Sequence, residues 1–331
     1  MTRFRSQRST VGDAPKARTD GSDTPTVSVV ITTYDRPSYL PGAVETVAEQ
    51  TYDPIELIVV DDSSPTPASE VLSSTNEYGF ASFEIIRHEE NRGPNAARNT
   101  GISTADGEYI AFLDDDDRWH PEKVARQVGR FETANPDVGV VSTGWKRVRN
   151  GSTEEKWLPP EIGGDVTRAI LCRNVVGTQS AVMVRAAIAK RIPLDERFPR
   201  WADQEWYVSL STECAFDRIR EPLVVHEFGT HNRITDDTEK LYEAHRLFVE
   251  KYLPLAAEYG SVMRRKMRGW ADFRVGKPLL RMGEYEMARR FLINAVQWYP
   301  LEPKFYTYAG ASLGGRWTHS AARSLNELVP L

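Results

Sequence analysis

Four consecutive aspartates, Asp114 to Asp117, close the apolar run GEYIAFL and precede the helix-start signal RWHPEK. Carboxylates at such close range raise one another's pKa, and a cation relieves the repulsion. Hard oxygen donors suit Mg2+ or Mn2+, ions usually shared with substrate phosphates. In an extended segment residues i and i+2 face one side, so Asp114 and Asp116 are expected to point into one site as metal ligands. Two more polar clusters end apolar runs. Thr32, Thr33, Tyr34 and Asp35 follow VSVVI, and Asp61 and Asp62 with two serines follow ELIVV. One such cluster alone reads as a turn or a helix cap. Three of them, each at the end of an apolar run, point to a single ligand-binding edge.

The runs that carry these clusters have strand length and are rich in β-branched residues. They are VSVVITT (27–33), ELIVVDD (56–62), FEIIRH (83–88), GEYIAFLDDDD (107–117) and DVGVVSTG (137–144). Helical spacing lies between them: after Pro37, from Asn95 to Ser103, and after Pro121. Strands alternating with helices imply right-handed crossovers and a mostly parallel sheet flanked by helices, the α/β class. Ligands bind such sheets beyond the carboxyl ends of the strands, where the three clusters sit. GTQSAVMVR (177–185) and EPLVVHEF (221–228) are predicted as further strands, with a helix after Asp203 between them. From about Asp236 onward every pattern is helical. Residues 1–24 are rich in Arg, Ser, Thr, Asp and Gly without an apolar period, and are expected to be a disordered tail.

Composition removes several classes. Of 331 residues, 40% are hydrophobic and 27% charged, too apolar for a disordered chain. No uncharged apolar run approaches the ~18–20 residues that cross a bilayer. The N-terminal arginines have no apolar segment behind them, so no signal peptide is expected. Two cysteines, Cys172 and Cys214, are too few for a disulfide scaffold or a zinc cluster. Neither a G-x-G-x-x-G nor a G-x-x-x-x-G-K-[ST] segment occurs, which argues against dinucleotide oxidoreductases and P-loop enzymes. Substrate phosphates must then be held by metal and basic side chains. Arg92 and Arg98, which flank the GPNAARNTG segment, are the candidates.

Four segments in order, VSVVITTYDRPSYL, QTYDPIELIVVDDSS, NRGPNAARNTGI and GEYIAFLDDDDRWHPEKV, resemble the inverting nucleotide-sugar glycosyltransferases of family 2, which have a GT-A fold. The resemblance covers roughly residues 26–230 and implies a transferase domain over 25–232. It assigns Thr32, Thr33, Tyr34 and Asp35 to the nucleobase and ribose pocket. It assigns Asp62 to a hydrogen bond with the base, with Asp61 beside it, and Arg98 to the nucleotide's vicinity. Asp114 and Asp116 match the family's D-x-D pair, Asp116 foremost as metal ligand, and Asp115 is expected to face the sugar or ribose. The family's base lies in an acidic motif followed by Trp. Here that motif is RWADQEWYVSL, and either Asp203 or Glu205 could serve. Asp203 is preferred, because it should cap the helix start while Glu205 lies inside the helix. The implied reaction needs a nucleotide-diphospho-sugar donor and Mg2+ or Mn2+. The acceptor is expected to be a lipid-linked glycan or lipid phosphate at the cytoplasmic membrane face. A soluble polysaccharide intermediate is the alternative, and a non-catalytic interaction protein on a degenerate transferase fold is the alternative class. His231, in VVHEFGTHNRIT beside His226, is a candidate to close over the diphosphate. Trp119, Trp201 and Trp206 are either sugar-pocket walls or core.

The C-terminal stretch 233–331 is expected to form a helical appendage. Gly283, Tyr285, Ala288, Leu292, Ala295 and Pro300 match half of a tetratricopeptide-like repeat, and one such helix pair cannot form a solenoid alone. The net charge of −5 hides an asymmetry, since residues 260–331 carry twelve Lys/Arg against five Asp/Glu. In 261–274 basic residues interleave with Met263, Met267 and Trp270, a pattern that suits either an anionic membrane surface or a solvated helix face. The acidic body argues against nucleic acid.

Overall fold

The computed structural model describes residues 24–73, 79–149, 152–227 and 237–314. The first half builds four parallel strands: β1 (Val27–Thr33), β2 (Ile55–Asp61), β3 (Ser82–Arg87) and β4 (Tyr109–Asp114). Their connections carry the helices α1 (Leu40–Ala48), α2 (Ala68–Val71) and α3 (Pro94–Thr104). Side chains alternate across a strand, and here both faces are buried, which is why these runs are apolar throughout. On β1, Val27, Val29 and Ile31 enter one core with α1, α2 and, later in the chain, α4 (Lys123–Thr133). Val30 enters the opposite core with Ile58, Val60, Ile110 and Phe112. Helix α3 lies close enough to β1 that a Cβ on Gly101 would come within 2.3 Å of a Val30 methyl, so glycine is required there.

Beyond β4 the sheet becomes mixed. Five strands complete it: β5 (Asp117–Trp119), β6 (Val138–Arg149), β7 (Ser152–Trp157), β8 (Val182–Arg185) and β9 (Ala215–Glu227). The order is β3-β2-β1-β4-β8-β6-β9-β5, with β7 paired to β6. β8 runs antiparallel to both β4 and β6, while β6 and β9 are parallel. The short α5 (Thr167–Ile170), α6 (Ala186–Arg191) and α7 (Ala202–Ser211) share the core that contains Val30.

Two expectations change in detail, and one strand was not foreseen. The run to Asp117 is not one strand, because Asp115 and Asp116 form a turn and the chain resumes as β5, antiparallel to β9. The 177–185 run becomes a strand only at Val182, and a short 3-10 turn covers Gln179–Ala181. The β6–β7 hairpin has no apolar alternation in STEEKW to announce it.

The last helices are α8 (Thr238–Glu258), α9 (Ser261–Met282), α10 (Tyr285–Trp298) and α11 (Pro303–Leu313). Trp270, Phe273, Leu279, Leu292 and Phe305 give them a core of their own. They are also fused to the sheet domain, since Phe248, Tyr252, Ala256 and Met267 belong to the same core as Val30 and Trp206. Burying a large apolar side chain stabilises by roughly 1.5–3 kcal/mol, so these four residues tie the helices on firmly. Met267, Trp270 and Phe273 of α9 are buried, and Met263 is partly buried against the cores. A helix lying on a membrane must present its apolar side outward. Met263, Met267 and Trp270, the apolar residues that suggested a membrane surface for 261–274, thus pack against the cores, while Val262 is exposed. Among the described residues no helix is long and apolar enough to cross a membrane.

Candidate active site

The carboxyl ends of β1, β2 and β4 meet at one edge. In register, Thr32 lies opposite Val60 and Asp114, and Thr33 opposite Asp61. After β1 the backbone turns through Asp35 at φ 53°, and its N–H donates to Ser64 Oγ at 3.1 Å. After β2 it turns through Ser63 at φ 68°. Left-handed backbone at non-glycine residues persists where the surroundings enforce it. Among the described residues it occurs only at Asp35, Ser63 and Trp201, and all three adjoin predicted site residues. Tyr34 is exposed at this edge.

The two acids of β2 serve mainly as staples. Asp61 Oδ1 accepts from Ser64 N, and Oδ2 accepts from Ala68 N and from Arg87 Nη1. Burial would raise its pKa, but these donors outweigh burial and leave it below the ordinary value. Asp62 Oδ1 meets Arg92 N and His88 Nδ1, and Oδ2 accepts from Gly93 N at 2.7 Å. Asp61, expected beside the base-binding acid, is buried with donors on both its oxygens. Asp62 retains a lone pair on Oδ2. Arg92 contributes its backbone here, while its half-exposed guanidinium lies 3.8 Å from Glu196.

The turn at Asp114–Asp117 gives each acid its own partner. Arg98 Nη2 donates to Asp114 Oδ1 at 2.6 Å. Asp115 is buried and accepts from Thr33 Oγ1 at 2.7 Å and from Arg36 Nη1 at 2.9 Å. Arg36 also pairs with Asp116 at 2.8 Å. Asp117 Oδ2 accepts from Ser180 Oγ, and Oδ1 meets His226 Nδ1. Ser180 Oγ in turn accepts from Asp114 N. Burial pushes the Asp115 carboxyl up to about 6, against the opposing pull of Arg36. Burial also raises Asp117, against its contact with His226, and that contact raises His226 in spite of burial. Asp115 is thus packed inward against Thr33 and Arg36. Arg36, which stands between two acids, and the Ser180–Asp117–His226 chain were not foreseen as site residues. Only the DRP sequence after β1 could have signalled Arg36.

Asp114 and Asp116 keep 33% and 32% of their side chains exposed, each with a single arginine partner. Two hard carboxylates open to solvent fit a divalent cation that draws its remaining ligands from phosphate oxygens and water. Among the described residues no group of three or more His, Cys, Asp or Glu could hold a metal by itself.

The third component is α7. Asp203 sits inside its first turn, and the N-cap position is Trp201 at φ 63°, so the expected capping role is corrected. Its carboxylate accepts from Asn174 Nδ2 at 2.9 Å and from Gln204 N at 2.7 Å, both neutral donors. Burial raises its pKa, offset in part by the Gln204 N–H and by the charges of Arg274 and Arg98. Asn174 also holds the backbone of Val176 and Gly177, which links Asp203 to the loop that carries Ser180. Glu205 is buried and committed elsewhere, to Lys251 at 2.7 Å and to the Tyr252 hydroxyl at 2.5 Å. Trp119 and Trp206 are core residues, bonded through their indole N–H to Ser180 O and Ile192 O. His231 lies outside the described residues.

A parallel half-sheet with acids at its carboxyl edge, followed by a mixed half that returns an acidic helix, is the GT-A glycosyltransferase architecture. Residues 28–191 match the model for glycosyl transferase family 2, a span that ends before Asp203. The chain is 28% identical over 235 residues to an uncharacterized glycosyltransferase of Haemophilus influenzae, covering 69% of this chain and 77% of the relative. Residues 28–191 are a glycosyl transferase family 2 segment. Solved structures agree in fold. S. aureus TarS 1–349 aligns with a TM-score of 0.63 at 19% identity, over 87% of each chain. The mannosyltransferase PcManGT from Pyrobaculum calidifontis, solved with GDP-Man and Mn2+, aligns with a TM-score of 0.55 at 16% identity, over 92% of this chain and 87% of that one.

Proposed function

We propose that this enzyme moves a sugar from a nucleotide-diphospho-sugar to a glycan hydroxyl in one inverting displacement. The observation that carries the reading is Asp203, a carboxylate held only by neutral donors and tied through Asn174 and the 177–180 loop to the Asp114–Asp117 turn. Thr32, Thr33, Tyr34 and Asp35 form the nucleotide wall, with exposed Tyr34 as a platform for the base and the free lone pair of Asp62 as an acceptor. Arg98 lies beside the diphosphate position. Asp114 and Asp116 would hold Mg2+ or Mn2+, which when bound neutralises charge on the departing diphosphate. A solved structure of TarS contains UDP-GlcNAc and that of PcManGT contains GDP-Man with Mn2+, which supports a donor of this class and a divalent ion.

Asp203 takes the proton from the acceptor hydroxyl as that oxygen attacks the anomeric carbon, and the sugar–phosphate bond breaks on the opposite side. No enzyme nucleophile is needed. The acceptor proposed first is a glycan on a lipid carrier, met at the cytoplasmic membrane face. The second reading is a soluble glycan.

The test is Asp203→Asn. Turnover should fall by roughly 10²–10⁴-fold. The donor with Mn2+ should still raise the melting temperature, because its binding surface is intact. Full turnover in this variant would overturn the reading.

A further inference from the structure

The helical C-terminal region sends a side chain to the catalytic edge. Arg274 of α9 stacks its guanidinium 3.7 Å from the ring centre of Trp201, the residue that starts α7 two positions before Asp203. It also lies 5.3 Å from the Phe248 ring of α8. Its Nη1 is buried and has no hydrogen-bond partner among the described residues. No carboxylate lies within 4 Å of this guanidinium in the described ion pairs, although Asp203 is the acid whose charge it feels most. A cation set against two aromatic rings with no carboxylate within 4 Å among the described residues is costly, and the charge of Asp203 offsets part of that cost.

We infer that Arg274 is a positioning residue for catalysis: from the helical region it holds the start of α7 through Trp201 and supplies the positive field that keeps Asp203 ionised. The inference rests on Asp203 as the base. The charged and titratable groups around Asp203 are few. Arg98 of α3 faces it with its charge already engaged by Asp114, Tyr207 lies one turn along α7, and Arg200 bears on Arg274. Asn174 contributes only a dipole. Glu205 and Lys251 neutralise one another, and on α8 and α9 His245 and Arg268 are taken by Asp272. Arg274 is thus the one cation facing Asp203 that no carboxylate within 4 Å engages among the described residues. Burial pulls Arg274 itself down to about 9, so it remains charged at neutral pH.

The sign of the effect follows. An opposite charge nearby lowers a carboxylate's pKa, and its loss raises it. In full-length protein with saturating donor, Mn2+ and acceptor, kcat is measured against pH for the wild type, Arg274→Gln, Arg274→Lys and Asp203→Asn. Arg274→Gln should move the acid limb of kcat upward by about 1 pH unit. Its donor KM should change by less than about twofold. Arg274→Lys should restore the limb to near its wild-type position, because it returns the charge without the planar fork. If Arg274→Gln lowers the melting temperature but leaves the acid limb in place, the residue is only structural and the inference fails. If Arg274→Lys behaves like Arg274→Gln, charge is not the agent and the inference fails too. An active Asp203→Asn would defeat the assignment of the base, an outcome distinct from both.

Discussion

In the turn at Asp114–Asp117 every carboxylate meets a charged or titratable partner: Arg98, Arg36 twice, and His226. Among the described residues, Asp203 on α7 is held only by an amide and a backbone N–H. Both sets belong to the proposed site, and their surroundings suit them to opposite tasks. Acids locked to cations are poised to exchange those cations for a metal or to organise a turn, and they make poor proton acceptors. An acid kept by neutral donors retains basicity, and burial that raises its pKa brings it closer to the pH at which a base is useful. The lesson is that the partners, more than the acids, divide the labour.

The largest expected break in this comparison comes from removing metal. EDTA, or Asp116→Asn, should abolish both turnover and the melting-temperature rise given by donor with Mn2+. Asp203→Asn should lose turnover alone. If both substitutions spared donor binding equally, the two regions would not differ as described.

The next test is pH. As the proposed base, Asp203 must be deprotonated to act, and its pKa is raised by burial. Turnover should therefore fall as pH drops through a midpoint above ~3.9, the ordinary aspartate value. A midpoint at or below that value in the kcat profile would contradict the neutral-donor environment.

The bridge between the regions can be cut separately. Ser180→Ala removes the hydroxyl shared by Asp114 N and Asp117. It should lower kcat by roughly tenfold, the cost of about 1.4 kcal/mol in transition-state positioning. Unchanged kinetics would mean that the loop is not part of the catalytic frame. The smallest functional effect is expected at Glu205. Glu205→Gln should leave kcat of the folded enzyme within about twofold, yet cost about 1–3 kcal/mol in a denaturant titration by leaving Lys251 and Tyr252 poorly paired. A large kcat loss with unchanged stability would return Glu205 to the role of base.

The strand half of this site was legible because periodicity and turn chemistry are local. Apolar runs such as VSVVI and ELIVV mark strands buried on both faces, and the acids that end them fall at the carboxyl edge by topology alone. What stayed hidden depends on long-range contacts. Arg274 lies 71 residues beyond Asp203, and its segment reads equally well as a solvated face until its Trp and Met are seen to be buried. Asp115 was expected to face the ligand only through the family resemblance. The pull of Thr33 and Arg36, some 80 residues earlier, turns it inward. The resemblance left Asp203 and Glu205 both open, with Asp203 preferred at the helix start, and the engagement of Glu205 by Lys251 and Tyr252 on another helix lay beyond sequence reasoning.

The core shared between the sheet and α8–α9 has a consequence during synthesis. Phe112 and Trp206 emerge from the ribosome well before Phe248, Tyr252 and Met267, which cover the same face. At about 5–20 residues per second, the interval is of the order of seconds. During that interval the nascent transferase half carries an uncovered apolar surface. A holding chaperone, or a pause that is shortened by faster codons, should therefore change the soluble yield of this chain more than it changes the enzyme once released.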